Sequence, residues 1–176
     1  MKRADAIARL ADSSESWDVV VIGGGATGLG IAVDAASRGF KTALLEQSDF
    51  CESTSSKSTK LIHGGVRYLR SGEVSLVRES LRERGRLLQN AEGLVEPLGF
   101  VVPAYRFYER FFYGMGLTLY DALAGDLGIR STEHLSGKEM GSKVPNLNPD
   151  GLYGGTFYWD GQFDDSRLAI AMARTA

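Results

Sequence analysis

The stretch that decides the fold is residues 17–28, which read WDVVVIGGGATG. Its first half is a run of β-branched residues that stops at glycines, as expected of a parallel strand buried on both faces. Its second half fits the pattern GxGxxG, with Gly23 for a tight turn, Gly25 for close approach of a pyrophosphate and Gly28 for close helix–strand packing. The stretch therefore predicts a strand, a glycine turn and the start of a helix.

The residues after the turn complete a βαβ unit. Ala26 and Thr27 open a predicted helix, whose N-terminus stabilises an anion, and residues 40–46 supply a second strand. Glu46 ends that strand and is followed by Gln47. A carboxylate there accepts hydrogen bonds from adenosine ribose hydroxyls and disfavours a 2′-phosphate. The unit predicts a dinucleotide site without separating NAD from FAD, and the alternative is a glycine-rich turn without a ligand.

Composition and charge exclude several classes of protein. Hydrophobic residues make up 43% of the 176 residues and charged residues 24%, which is ordinary for a globular protein. The net charge of -2 gives no field that attracts nucleic acid, so no such partner is expected. The lone Cys51 excludes an intrachain disulfide, and no metal site is expected. Neither a secretory leader nor an apolar span of about 20 residues occurs, which favours a cytoplasmic protein.

The rest of the chain mixes helical and strand-like stretches. Residues 4–11 predict a short leading helix, and residues 71–91 an amphipathic helix with a charged, solvent-exposed face. Residues 99–108 predict an edge strand interrupted by Pro103, and residues 116–127 predict another helix. The side chains predicted on the exposed face are Arg78, Arg82, Glu83, Arg84 and Arg86.

The last part of the chain adds three predicted elements. Ser136 and Glu139 have the spacing of a capping box, residues 152–159 resemble a strand, and Asp164 can cap a helix that follows it. Only two parallel strands are clear, whereas an open nucleotide-binding sheet has about five or six. We therefore expect the chain to be a fragment.

Several separated stretches resemble one family. Residues 53–69 (STSSKSTKLIHGGVRYL) resemble the signature that follows the second strand in FAD-dependent, aerobic-type glycerol-3-phosphate dehydrogenases. Residues 22–39, 116–125 and 158–168 are similar to stretches of the same family, in the same order. The resemblance spans residues 17–176 and corresponds to the N-terminal portion of the family.

This resemblance implies an α/β fold class. It predicts a Rossmann-like FAD-binding domain of the glutathione-reductase or D-amino-acid-oxidase type, with the start of a second, α+β substrate domain. The implied division is an N-terminal extension (1–16), an FAD-binding βαβ portion (17–93), part of a substrate or cap domain (94–163) and a helix returning to the FAD-binding domain (164–176).

The resemblance also assigns site residues. A hydroxyl-rich loop lies along the cofactor, where its side chains donate and accept hydrogen bonds and a lysine offsets the diphosphate charge. These residues are Thr54, Ser55, Ser56, Ser58 and Lys60. His63, Gly64 and Gly65 are expected close to the flavin ring. His63, Arg67 and Tyr68 are the candidate catalytic residues, with Arg67 and Tyr68 suited to a substrate phosphate. The alternatives are a solvated turn, a structural histidine bonded to backbone and an ordinary ion pair of Arg67.

The activity implied by the resemblance is oxidation of sn-glycerol 3-phosphate to dihydroxyacetone phosphate. FAD takes the hydride and passes electrons to a quinone. The general base is either His63 or a group outside this chain. Two alternatives stay open: another D-amino-acid-oxidase-like flavoprotein acting on an amine or a 2-hydroxy acid, and a non-catalytic FAD-binding fragment. In such a fragment, uncovered apolar edges favour instability or formation of a homo-oligomer.

An aromatic cluster lies in residues 105–120, with Arg106 and Arg110 inside it. It is interpreted either as core packing of a second domain or as a peripheral contact with the inner face of a membrane, near the quinone. A stacking platform for single-stranded nucleic acid is disfavoured, because the acidic chain lacks an OB or RRM pattern. The aromatic residues are Tyr105, Phe107, Tyr108, Phe111, Phe112, Tyr113 and Tyr120.

Overall fold

A computed structural model describes residues 3–176 and divides into two compact units. The first unit contains the chain up to Thr59 and Asp164–Ala176, and the second contains Lys60–Phe163. Residues 1 and 2 of the predicted N-terminal extension lie outside the described residues. The extension also contains helix α1 (Arg3–Ala11), which matches the predicted leading helix.

The first unit is built on the predicted βαβ arrangement. Strands β1 (Val19–Ile22) and β2 (Thr42–Leu45) pair in parallel, with Val19 opposite Thr42. Helix α2 (Ala26–Ser37) connects them, and helix α7 (Asp165–Thr175) packs against α2. This unit confirms the Rossmann-like part of the predicted fold class.

A small core lies beneath these helices. Leu29, Cys51 and Ala169 are buried together, with Leu44 and Met172 packed against them. Burial raises the pKa of the Cys51 thiol, which disfavours the reactive thiolate form.

The prediction that β1 is buried on both faces is wrong. Val21 is buried, whereas Val20 and Ile22 are 54% and 87% exposed. Val21 faces α2, since a Cβ on Gly28 would lie 3.4 Å from its Cγ1. Because alternate residues of a strand point to opposite faces, Val20 and Ile22 lie on the other face of this sheet, where their side chains are exposed within residues 3–176.

The second unit is an antiparallel sheet with helices, as expected of an α+β domain. Its central strand is β6 (Gly154–Phe163), which pairs along its whole length with β4 (Val95–Ala104). On the other side of β6, β3 (Leu61–Ile62) and β5 (Glu133–Ser136) pair with opposite ends of the strand. The edge position of β4 confirms the predicted edge strand, although the strand starts at Val95 rather than at residue 99.

Two long helices cover this sheet. Helices α4 (Val74–Asn90) and α5 (Phe107–Ala124) pack together around the buried side chains of Val77, Leu81 and Tyr120. Helix α5 begins earlier than the predicted residue 116, because the Glu109 carboxylate accepts hydrogen bonds from backbone N–H groups ahead of the helix. The short helices are α3 (Arg67–Arg70) and α6 (Gly137–Lys143), and α6 has the predicted Ser136–Glu139 capping box.

The second unit includes more of the chain than the predicted substrate domain. It begins at Lys60 rather than at residue 94, because Leu61 and Ile62 pair with Gln162 and Gly161 of β6. The predicted domain boundary between residues 93 and 94 stays a prediction. The structure nevertheless places His63–Tyr68 within the antiparallel unit.

The aromatic cluster is mostly on the surface of its unit. Tyr120 is 2% exposed, whereas Phe107 is 65% exposed and Phe112 is 57% exposed. Core packing is therefore confirmed for Tyr120 and wrong for most of the cluster. No helix within the described part of the chain is long and apolar enough to cross a membrane.

Candidate functional site

The glycine turn joins β1 to α2 as the motif requires. Gly23 has a φ of 106°, which side-chain-bearing residues rarely adopt, and its N–H donates to the Leu45 carbonyl at 2.8 Å. At Gly28 a Cβ would lie 1.9 Å from the Gly23 carbonyl oxygen, so only glycine fits. Ala26, Thr27 and Gly28 form the first turn of α2, and the N-terminal N–H groups of a helix favour an anion.

Glu46 lies directly beside this turn. One carboxylate oxygen accepts a hydrogen bond from the Gly24 N–H at 2.7 Å, and the other accepts one from the Ser48 N–H at 2.9 Å. These bonds, with Ser48 contributing most, hold the pKa of Glu46 below its ordinary value. The group therefore stays ionised. Each carboxylate oxygen keeps a second lone pair that can accept a further hydrogen bond.

Ser55 connects the hydroxyl-rich loop to the start of α2. Its Oγ accepts a hydrogen bond from the Ala26 N–H at 3.0 Å and would lie 3.3 Å from a Cβ on Gly25. The hydroxyl can still donate its proton to a neighbouring anion. Ser58 anchors the end of the same loop, since its Oγ donates to the Asp165 carboxylate at 2.8 Å.

A cleft of about 310 Å³ opens beside these groups. That volume is at the lower end of the range of about 300–1,000 Å³ typical of small-molecule sites. Among the sequence-predicted residues it brings together Gly25, Glu46, Gln47 and Ser55, while Thr27, Gly28, Thr54, Ser56 and Ser58 do not line it. The remaining lining residues are Ser48, Asp49, Cys51, Glu52, Ser53 and Lys57. Within residues 3–176 no cluster of His, Cys, Asp and Glu side chains is arranged to hold a metal ion.

The other predicted group, His63–Tyr68, lies in the second unit. The Gly64 N–H donates to the Tyr120 hydroxyl at 2.6 Å, and the Gly65 N–H donates to His63 Nδ1 at 3.0 Å. A Cβ on Gly64 would lie 2.6 Å from Leu81 Cγ, so the loop packs tightly onto α4. The bond to His63 Nδ1 agrees with the backbone-bonded alternative and places the proton of a neutral ring on Nε2.

Arg67 and Tyr68 open helix α3. Both are exposed, and Tyr68 is 51% exposed. Within residues 3–176 Arg67 makes no ion pair, and its role stays a prediction. Lys60 precedes this region with a left-handed φ of 57°.

The sequence profile of FAD-dependent oxidoreductases matches residues 18–176 of this chain. The chain belongs to the FAD-dependent oxidoreductase family. The match begins just before β1 and includes all later elements of both units.

Relatives within this family carry a more specific name. The mitochondrial glycerol-3-phosphate dehydrogenase of Bos taurus is 46% identical over 177 residues, which covers 97% of this chain and 24% of that protein. The aerobic glycerol-3-phosphate dehydrogenase of Staphylococcus haemolyticus is 42% identical over 165 residues, covering 93% of this chain and 30% of that protein. The chain therefore spans about a quarter to a third of the length of these curated relatives.

Solved structures with FAD bound share the fold of this chain. The glycerol-3-phosphate dehydrogenase of Bacillus halodurans, determined in complex with FAD, matches 99% of this chain and 27% of its own with a TM-score of 0.68 at 30% identity. The L-α-glycerophosphate oxidase of Mycoplasma pneumoniae, with FAD bound, matches 92% of this chain and 43% of its own with a TM-score of 0.66. At 19% identity the second match shows the fold alone.

A buried polar network in this FAD-dependent oxidoreductase was missed by sequence reasoning. Arg84 donates to the Asp160 carboxylate at 2.7 Å, and the Tyr120 hydroxyl donates to the same carboxylate at 2.9 Å. All three residues are at most 4% exposed, so the prediction of a solvated face is wrong for Arg84. The helical spacing contained the missing signal, because Val77, Leu81 and Arg84 lie on one face of α4.

Proposed function

We propose that the whole protein is an FAD-dependent dehydrogenase that oxidises sn-glycerol 3-phosphate to dihydroxyacetone phosphate. The observation that carries the proposal is the cleft at the glycine turn, with Glu46 and Ser55 beside a helix start, in a chain 42% and 46% identical to two glycerol-3-phosphate dehydrogenases. When bound, FAD supplies the hydride acceptor.

The first unit is suited to the adenosine diphosphate part of FAD. The start of α2, with bare backbone at Gly25, faces the cleft and favours the pyrophosphate. Ser55 can accept from Ala26 and donate to a phosphate oxygen at once. Glu46 can accept from ribose hydroxyls through its remaining lone pairs, while its two backbone hydrogen bonds keep the carboxylate in place. The residues present therefore fit this group.

Replacing Glu46 with glutamine in the full-length protein tests this assignment. The change removes the negative charge that attracts the ribose hydroxyls, so the dissociation constant for FAD should rise by about tenfold or more. Glu52→Gln is the matched control, because Glu52 lines the same cleft without a hydrogen bond to the glycine turn. Titration of each apoprotein with FAD, monitored by flavin fluorescence, would measure both dissociation constants. Equal FAD affinities for the two variants would contradict the role of Glu46.

The loop in the second unit is proposed to serve the flavin and the substrate. In neutral His63, Nδ1 is occupied by the Gly65 N–H, so the exposed ring presents Nε2–H as a donor. His63 is therefore better suited to donate a hydrogen bond than to remove the substrate's hydroxyl proton. We assign the general base to a group outside this chain, the second of the two options left open by the sequence.

Arg67 is proposed to bind the substrate phosphate, with Tyr68 beside it, because a guanidinium matches phosphate geometry with two parallel N–H donors. Arg67→Met in the full-length protein should raise the KM for glycerol 3-phosphate by about tenfold to a hundredfold and leave FAD content unchanged. Arg70→Met, at the other end of α3, is the control. Steady-state kinetics with an artificial electron acceptor measure the effect. A KM as low as that of the control would remove Arg67 from the phosphate site.

Two further proposals concern the electron acceptor and the location of the protein. We propose a quinone as acceptor and a cytoplasmic protein in peripheral contact with the inner face of a membrane, with a homo-oligomer as a further option. The exposed aromatic side chains of α5, including Phe107 and Phe112, are compatible with such a contact. The alternative substrates, an amine or a 2-hydroxy acid, are disfavoured because the named relatives at 42–46% identity are glycerol-3-phosphate dehydrogenases.

Anaerobic spectroscopy of the full-length protein tests the proposed function. Glycerol 3-phosphate should bleach the visible absorbance of the bound flavin, whereas glycine and 2-hydroxyglutarate should not. Bleaching by glycine or 2-hydroxyglutarate alone would overturn the substrate assignment in favour of the alternative class. A purified protein without flavin absorbance that gains none on addition of FAD would overturn the cofactor assignment.

A further inference from the structure

The Tyr120 hydroxyl accepts a hydrogen bond from the N–H of the peptide bond between His63 and Gly64. The 2.6 Å hydrogen bond from the Gly64 N–H points this edge of the peptide into the unit. The described chain contains no cis peptide bond. In a planar trans peptide the C=O points away from the N–H, so the His63 carbonyl is directed to the opposite side.

Asp160 determines the direction of the hydrogen bonds that the Tyr120 hydroxyl makes. Both carboxylate oxygens of Asp160 lie within 3.0 Å of the Tyr120 oxygen, so the hydroxyl proton points to Asp160 and a lone pair faces Gly64. Burial and the neighbouring Asp160 raise the pKa of Tyr120, which keeps that proton on the phenol. Arg84 compensates the charge of Asp160.

The buried Arg84–Asp160 ion pair has a cost in free energy that an apolar core would not have. Arg84 and Asp160 are 2% and 4% exposed, and burying an ion pair costs desolvation that apolar side chains of similar volume avoid. Hydrogen bonds in a low-dielectric core fix the geometry of the groups that they join. Tyr120 is paired on both sides, with Asp160 and with the Gly64 N–H, although Arg84 Nε has no hydrogen-bond partner within residues 3–176. The backbone at Gly64 packs closely against its neighbours, since a Cβ there would lie 2.6 Å from Leu81 and 2.9 Å from Tyr120. The loop therefore has no room to shift inward at this position.

We propose that Tyr120, supported by Asp160 and Arg84, is a positioning residue that sets the orientation of the His63–Gly64 peptide and thereby of the His63 side chain toward the flavin and substrate. The inference rests on the proposed function for the role of the loop. The hydrogen bond itself can be tested separately from that function.

The test is Tyr120→Phe in the full-length protein, with Tyr158→Phe as the matched control. Tyr158 packs against the same buried core, edge-to-face with Tyr120, and its hydroxyl makes no hydrogen bond within residues 3–176. Two readouts are needed: hydrogen exchange of the Gly64 amide in the protein without FAD, and the rate of flavin reduction by glycerol 3-phosphate in the holoenzyme.

We expect exchange of the Gly64 amide to become at least about tenfold faster in Tyr120→Phe than in the control. We also expect flavin reduction to slow by about tenfold to a hundredfold, because a displacement of reacting groups by about 1 Å costs up to that order. The KM should change little. Asp160→Asn, which weakens the same network while retaining an acceptor, should shift both readouts in the same direction and provides the test if Tyr120→Phe does not fold.

Two results would overturn the inference. One is unchanged exchange at Gly64, and the other is faster exchange with a reduction rate equal to that of Tyr158→Phe, which would leave the network a purely structural role. Failure of the proposed function is distinguishable, because the flavin of the unaltered protein would then not be reduced by glycerol 3-phosphate at all.

Discussion

Gly28→Ala is expected to weaken FAD binding by the full-length protein severely. A Cβ at this position would lie 1.9 Å from the Gly23 carbonyl oxygen, and that oxygen belongs to the turn itself. Helix α2 must then move away from β1, at a cost of about 1–3 kcal/mol or more for overpacking. Because the moved helix start no longer faces the pyrophosphate correctly, the dissociation constant for FAD should rise by about a hundredfold or more.

Gly30→Ala is the matched control for this prediction. It lies in the same helix, and its added Cβ would contact only Met172 Cε at 3.8 Å, an ordinary van der Waals distance. Alanine also favours a helix over glycine by about 1 kcal/mol, so this variant should be as stable as the unaltered protein or more so. Equilibrium dialysis with FAD and thermal unfolding would compare the two. Full FAD occupancy in Gly28→Ala would show that the close helix–strand contact is not needed.

Arg84→Met is expected to destabilise the second unit strongly. It leaves the Asp160 carboxylate buried without its cation, and breaking a buried ion pair in this way costs about 3–5 kcal/mol. Arg86→Met is the control two residues away, since the Arg86–Glu83 pair is exposed and such pairs contribute about 0–1 kcal/mol. Urea unfolding of both variants measures the difference. Equal unfolding midpoints would contradict the structural importance of the buried pair.

The loss of stability caused by Arg84→Met should depend on pH in a predictable direction. Burial raises the pKa of Asp160 above its ordinary value, and Arg84 provides the largest opposing effect. Without Arg84 the folded pKa rises further above the unfolded pKa, so the folded variant binds a proton more readily than the unfolded chain does. The destabilisation should therefore be greatest at neutral pH and should shrink as the pH falls through the raised pKa. A loss of stability that grows toward acidic pH would contradict this assignment.

The βαβ unit could be predicted from sequence because its determinants are local. Turn and packing geometry require Gly23 and Gly28 within a few residues of each other, and Glu46 directly follows the next strand along the chain. The Ser136–Glu139 capping box was predictable for the same reason. What the local pattern did not reveal is that the Glu46 carboxylate bonds to the turn's own backbone.

The features that sequence reasoning missed depend on distant contacts. The pairing of Leu61 and Ile62 with β6 joins residues about 100 positions apart. Arg84 was assigned to a charged face by its residue type, although its position followed the buried spacing of Val77 and Leu81. The partner that makes its burial tolerable, Asp160, lies on β6 and is adjacent only in the folded unit.

We propose that the glycine turn and Glu46 bind the adenosine diphosphate portion of FAD. A crystal structure of the full-length protein with FAD would show where that portion lies. We predict a pyrophosphate within hydrogen-bonding distance of the backbone N–H groups at the start of α2 and of the Ser55 hydroxyl, with ribose hydroxyls donating to Glu46. An adenosine diphosphate group bound away from residues 23–28, or a Glu46 carboxylate with no contact to the ribose, would contradict the claim.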